Sequence, residues 1–138
     1  MEEYRMVEEI MPQGKMEDKF VTITGFKNYY GCAPFAIGNL IRCSKEPDNP
    51  YDGEAIKCTL PVLGTVAYIA NSIHSVTRGT MSAGRIYDSV GDRFFVRVMF
   101  STGSIIICKL EKKNFAELEK ELQQQSDSGW STEGTAKK

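Results

Sequence analysis

The stretch Lys45-Glu46-Pro47-Asp48-Asn49-Pro50-Tyr51-Asp52-Gly53-Glu54-Ala55-Ile56 joins two runs that read as strands, Asn39-Leu40-Ile41-Arg42-Cys43 before it and Ala55-Ile56-Lys57-Cys58 after it. Two prolines flank Asp48-Asn49, fix φ, and disfavour helix in the residues ahead of them. Asp and Asn side chains fold onto their own backbone, and Gly53 tolerates a positive φ. The stretch therefore reads as a rigid turn at the rim of a sheet, with Tyr51 and Asp52 side by side. Two roles are open to it: a recognition loop that displays an aromatic ring and a carboxylate, or a tight hairpin connection in which Asp52 caps the backbone.

Outward from this turn the pattern stays short, β-branched and punctuated by glycine. Phe20-Val21-Thr22-Ile23-Thr24-Gly25-Phe26 alternates, with Phe20, Thr22 and Thr24 on one face and Val21 and Ile23 on the other. Ala55 to Leu60, Thr65 to Ala70, Arg93 to Phe100 and Ile105 to Leu110 read as further strands, the last two as a hairpin about Ser101-Thr102-Gly103-Ser104. Ile86-Tyr87 reads as the start of another strand, and Asn71-Ser72 as the cap of a short helical or irregular piece through Val76. Asn114 and Glu117 form a capping box ahead of Phe115, Leu118 and Leu122, which share one helical face, and Gln123-Gln124-Gln125 reads as that helix's frayed end. The expected fold is mainly β: a small, partly open OB-like β-barrel of about six strands with one or two short helices, a β-sandwich being the alternative. The expected organisation is an acidic arm over 1–18, the barrel over 19–112, an amphipathic helix over 113–125 and a disordered tail over 126–138.

At 138 residues the chain suits one domain with a single core. No apolar run is long enough to span a bilayer, and the Glu-rich N-terminus is unlike a secretory signal, so a cytoplasmic protein is expected. Of the four cysteines, three sit in strand-like runs and none forms a C-x-x-C pair; with His74 the single histidine, zinc-ligand spacing is absent. The cysteines read as small core residues, with a disulfide framework as the alternative. Residues 1–19 hold six acids and three bases, residues 20–112 ten bases and seven acids, so a mildly basic middle lies between acidic ends. That balance permits phosphate contacts without demanding them and is low for a protein living on non-specific duplex binding.

Neither a nucleophile–histidine–acid set nor a carboxylate pair in an apolar pocket is present, so no catalytic residues, cofactor or metal are expected. The loop Arg78-Gly79-Thr80-Met81-Ser82-Ala83-Gly84-Arg85 lacks the Gly-Lys-Ser/Thr of a phosphate-binding loop; it reads either as an anion nest flanked by Arg78 and Arg85 or as a plain mobile loop. Lys27, Asn28, Tyr29 and Tyr30 make a second rim loop beside Tyr51-Asp52. Tyrosine faces stack on bases, lysine neutralises phosphate, and a carboxylate accepts a hydrogen bond from a sugar hydroxyl. The same tyrosines would equally cap an open barrel end.

The runs Ile23-Thr24-Gly25-Phe26, Tyr29-Tyr30-Gly31, Gly38-Asn39-Leu40-Ile41-Arg42, Glu46-Pro47-Asp48-Asn49-Pro50-Tyr51-Asp52 with Ala55-Ile56, and Gly64-Thr65-Val66-Ala67-Tyr68-Ile69 together resemble a HIRAN domain over roughly residues 20–110. The stretch from Gly79 to Asp88 is similar to small stand-alone bacterial members. The resemblance implies a modified OB-type barrel. It also implies the activity of eukaryotic relatives, in which the domain is joined to a fork-remodelling ATPase and captures the 3′-hydroxyl end of single-stranded DNA. On that basis Asp52 would accept the hydrogen bond of the terminal hydroxyl, and Tyr51 would stack on or flank the last nucleotide. Tyr29 would supply an aromatic from the first loop, and Lys27 a phosphate contact. Two positions depart from the pattern: Asn28 stands where end-binding relatives carry a second stacking ring, with Tyr30 a one-residue-shifted substitute, and Thr65 stands where they carry histidine. The expected partner is single-stranded DNA. The alternative is a protein partner on the same rim, with the helix face of Phe115, Leu118 and Leu122 docked on its own barrel or on a second copy.

Overall fold

The computed structural model describes residues 18–128. Six strands, β1 (Phe20–Thr24), β2 (Leu40–Lys45), β3 (Ile56–Leu60), β4 (Gly64–Ile69), β5 (Arg93–Ser101) and β6 (Ile106–Leu110), form an antiparallel barrel in the order β1-β4-β3-β2-β5-β6. This is the expected small OB-like barrel. Its ring is closed, where a partly open one was expected. Closure rests on a short seam, Ile23 opposite Ile69 and Thr24 opposite Tyr68. Two bulges help so few strands curl: Val66 is the extra residue of β4 against β3, and Met99 that of β5 against β6.

The interior of a narrow barrel must be filled by modest side chains. Ile41 lies opposite Val96, Cys43 opposite Cys58, Cys58 opposite Ala67, and Cys108 opposite both Val21 and Val98. Cys43, Cys58 and Cys108 are free thiols with no exposed surface, and Cys32 is free and half-buried, as expected of reduced core residues. Burial pushes the Cys43 and Cys108 thiols up, because the thiolate would have to shed its water.

Two short helices complete the described fold, α1 (Ala83–Ile86) and α2 (Phe115–Ser128). The expectation of a strand at Ile86-Tyr87 is corrected: Ser82 caps α1 by accepting a hydrogen bond from the Arg85 amide at 3.2 Å, and Ala83 and Ile86, three apart, are both fully buried. A 3₁₀ turn over Tyr87–Ser89 continues it. The piece after Asn71-Ser72 is irregular, held by the Ser75 and Val76 amides donating to the Ser72 carbonyl.

Helix α2 closes over the outer face of β2 and β5, so its apolar side serves its own barrel. Leu40 is opposite Arg97 and Arg42 opposite Phe95, which puts all four residues on the outer face. Phe115 packs its ring 5.0 Å from that of Phe95, Glu119 takes Arg42 at 2.7 Å, and Glu121 takes Arg97 at 2.8 Å. The helix runs through Ser128, past the expected limit at 125, and Gln125 is an anchor rather than a frayed end. Its amide accepts from the Leu40 N–H at 2.7 Å and donates to the Leu40 carbonyl at 3.0 Å. Strand β3 stops at Leu60, opposite Ile41 by the register, and the next residue, Pro61, has no N–H to offer. Gln125 thus supplies the ladder bonds that β3 cannot. The expected arm and tail lie, but for Asp18 and the helical residues 126–128, outside the described residues.

Candidate nucleic-acid interface

The turn between β2 and β3 is wired almost wholly from its own side chains. Asn49 Oδ1 accepts from the Tyr51 amide at 2.8 Å and the Asp52 amide at 3.0 Å, while its Nδ2 donates to Glu46 Oε1 at 2.9 Å. The Glu46 amide donates to the Ala55 carbonyl at 2.8 Å and closes the loop. With Pro47 and Pro50 fixing φ, this leaves Tyr51 little backbone freedom although its side chain is 94% exposed. An exposed ring on a pre-ordered loop loses little entropy on stacking.

Asp52 performs the capping role and remains available for another. Its Oδ1 accepts from the Glu54 amide at 2.9 Å and its Oδ2 from Asn71 Nδ2 at 2.8 Å. A carboxylate offers about four lone-pair sites, so two further acceptor directions remain on this half-buried group. Asn71 is itself fixed, because its Oδ1 accepts from the Gly84 amide at 2.7 Å. The approach at Gly84 is close: a Cβ there would lie 2.6 Å from Glu54 Oε1, the end of an exposed side chain that can swing away, and 3.2 Å from Asn71 Oδ1, which would have to give by a few tenths of an ångström.

The first rim loop turns on Gly25, whose φ of 76° favours glycine, into a 3₁₀ turn over Phe26–Asn28. Phe26 is buried against Phe35, ring centroids 6.3 Å apart, and the residues after it are pushed outward. The two rim loops meet in an open groove of about 740 Å³, lined among others by Asn28, Tyr29, Tyr51, Asp52, Tyr68 and Asn71. Four of the six residues expected at a binding rim are therefore gathered in one place. Lys27 and Tyr30 are not among them. Lys27 lines a neighbouring groove, and the Tyr30 hydroxyl reaches away toward the Leu63 carbonyl, 3.5 Å off in the β3–β4 turn. Tyr30 thus adds no second ring to the groove in place of Asn28. Arg85 lines a smaller groove of about 320 Å³ with Ser72, Ile73 and Ser82; Arg78 is exposed and lines none of these grooves. None of these grooves is lined by both arginines.

Three contributors escaped the sequence reading: Asn71, which Asp52 ties to the turn, Tyr68, and the Glu46 that ties Tyr68 to it. Glu46 Oε1 accepts from the Tyr68 hydroxyl at 2.8 Å. Donation from Asn49 above all holds the Glu46 carboxyl below the usual range; burial opposes it, and donation from Tyr68 and the charge of Lys57 add to it. The Tyr68 phenol is pushed up to about 12, first by burial and then by its bond to the Glu46 carboxylate. A folded-state value above the ordinary phenol means stability that is complete below about pH 10 and is lost as pH rises toward 12. Alkaline unfolding followed by circular dichroism is expected to set in over that window, and Tyr68→Phe to flatten this limb. An unchanged limb in the variant would show that Tyr68 carries none of the dependence.

Among the described residues, no group of three or more His, Cys, Asp or Glu side chains is placed to hold a metal ion, and no helix is long and apolar enough to cross a membrane. No family model and no curated protein matches the chain. A solved structure of a protein from Lactobacillus plantarum is similar at 16% identity, covering 68% of this chain and 95% of its own, with a TM-score of 0.47.

Proposed function

We propose that the protein is a non-catalytic, HIRAN-like nucleic-acid-binding module of the cytoplasm that captures the 3′-hydroxyl end of single-stranded DNA, in the service of DNA repair or processing. One observation carries the reading: an almost fully exposed Tyr51 on a pre-ordered loop stands beside a carboxylate with free acceptor directions, above a groove shared with Tyr29 and Asn28. A terminal base would stack on Tyr51, worth about 1–3 kcal/mol. Asp52, oriented by the bond from Asn71, would accept the hydrogen bond of the terminal hydroxyl. A 3′-phosphate in the same place would set negative charge against negative charge.

The test is Asp52→Asn, assayed by fluorescence anisotropy with single strands ending in a 3′-hydroxyl or a 3′-phosphate. The wild type is expected to prefer the hydroxyl by roughly tenfold or more, one charge-assisted hydrogen bond being worth about 1.5–3 kcal/mol. The variant is expected to lose most of that preference while still binding. Equal loss on both ends would remove Asp52 from end recognition and leave it only as the cap of its turn.

A further inference from the structure

Lys27 was expected beside Tyr51 and Asp52, and the structure places it elsewhere. It lines a second groove, of about 540 Å³, with His74, Ser75, Thr77, Ser104 and Ile105. Thr24, Gly25 and Ser75 line both grooves, so these three residues form the whole shared edge. At that edge Gly25 carries no side chain, and nothing lies within 4 Å of where its Cβ would stand. The two grooves therefore adjoin along this edge, beside the irregular segment at His74 to Thr77.

Their chemistry differs in a way that suits the parts of a nucleotide chain. The first groove holds tyrosines and a carboxylate, Asp52. The second has no carboxylate among its lining residues; it has a lysine, the chain's one histidine and five hydroxyl side chains. Two of those are spent: Thr22 Oγ1 bonds to Thr80 Oγ1 at 2.7 Å and accepts from the Thr77 amide at 3.0 Å, and the Ser75 hydroxyl donates to the Ser72 carbonyl at 3.2 Å. Lys27, His74 and Ser104 are exposed. Cationic and hydroxyl donors without an acid nearby are the side chains that take phosphate oxygens.

We infer that this second groove is a binding site for the sugar-phosphate backbone of the nucleotides that precede the captured 3′ end, which would cross between the grooves over Gly25 and Ser75. The inference rests on the end-capture reading and adds to it the direction in which the strand leaves and the residues that hold it. Affinity then grows with oligonucleotide length over the first few nucleotides, and the growth is electrostatic.

The experiment compares single strands of about two and about six nucleotides, both with a free 3′-hydroxyl, a range that brackets the smaller site sizes of OB-type folds. The proteins are the wild type, Lys27→Glu, Ser104→Glu and, as a control whose charge change equals that of Lys27→Glu, Lys120→Glu on the exposed side of α2. All three changed positions are exposed, so folding is not at stake. Lys27→Glu and Ser104→Glu are expected to weaken the longer strand roughly tenfold and the shorter one less than about twofold. Lys27→Glu is expected to lower the salt slope for the longer strand by about 0.7, the value of one single-strand phosphate contact. Equal effects on both lengths, effects no larger than those of Lys120→Glu, or no gain in wild-type affinity with length would overturn the inference while leaving end capture standing. Failure of the wild type to bind either strand would overturn both.

Discussion

Arg97→Ala is expected to destabilise the protein by about 3 kcal/mol, near the lower bound for breaking a buried ion pair, and to lower the midpoint of thermal unfolding by about 10 °C for a domain of this size. Arg97 joins three elements. Its Nε donates to Glu111 at 2.7 Å, its Nη1 and Nη2 to Glu121 at 2.8 and 3.2 Å, and Nη1 also reaches the Gly38 carbonyl at 3.0 Å. Glu111 is 7% exposed, so removing the guanidinium leaves a carboxylate with little access to water. Glu121 is 40% exposed and is screened, so most of the cost falls on the Glu111 side. Replacing Arg97 and Glu111 together by Met and Leu removes the stranded charge, and is expected to recover most of the loss. A double variant as unstable as Arg97→Ala would show that the guanidinium acts through packing rather than charge.

The same cluster sets an acid limb. Bonds from Arg97, with smaller help from its charge and that of Lys113, hold the Glu121 carboxyl below the usual range. A depressed folded-state value gives stability that is complete above the ordinary glutamate range near pH 4.3 and is lost as pH falls further. Glu46 adds to this with the same sign. Arg97→Ala is therefore expected to cost least in acid, where the wild type has already lost this contribution.

The second large effect is on binding. Tyr51→Ala is expected to weaken capture of a single-stranded 3′ end by roughly tenfold to a hundredfold, the range of about 1–3 kcal/mol for one base–aromatic stack. The thermal midpoint is expected to move by less than about 1 °C, because a side chain 94% exposed contributes little packing. Tyr51→Phe is expected to bind nearly as well as the wild type, since stacking uses the ring and not the hydroxyl. Loss of binding in both variants would give the hydroxyl the main role. Retention in both would move the stacking ring to Tyr29, which is 44% exposed on the facing loop.

The strands were legible because β-branched residues alternate between turns rich in Gly, Pro, Asn and Ser, and burial follows that alternation through β3, where Ile56, Cys58 and Leu60 are inside. The helix at 115 was legible from its cap: Asn114 Oδ1 accepts from the Ala116 amide at 2.8 Å and the Glu117 amide at 3.3 Å. Ile86-Tyr87 misled because a β-branched and an aromatic residue in sequence look like strand, whereas the Ser82 cap lies four residues before Ile86 and the Ala70 carbonyl that receives the Ala83 amide is a tertiary partner. Closure of the ring was not legible, since it depends on two residue pairs between strands far apart in sequence.

The rim showed the same division. Tyr51 and Asp52 were visible because local prolines and Asn49 build their turn. Asn71, 19 residues from Asp52, and Tyr68, 22 from Glu46, were not, because nothing in a short window tells which partner a half-buried polar side chain will find. Gln125 is the extreme case, bonded 85 residues away to the backbone of Leu40. Glutamine on a helix is ordinarily solvated; this one has its place because Pro61 ends a strand.

The most direct measurement is the anisotropy of labelled single strands that differ only at the 3′ end: free hydroxyl, phosphate, or an end buried in a hairpin. End capture predicts micromolar or tighter binding to the free hydroxyl and at least roughly tenfold weaker binding to the other two. Equal binding to all three ends, or none to any at low salt, would contradict it.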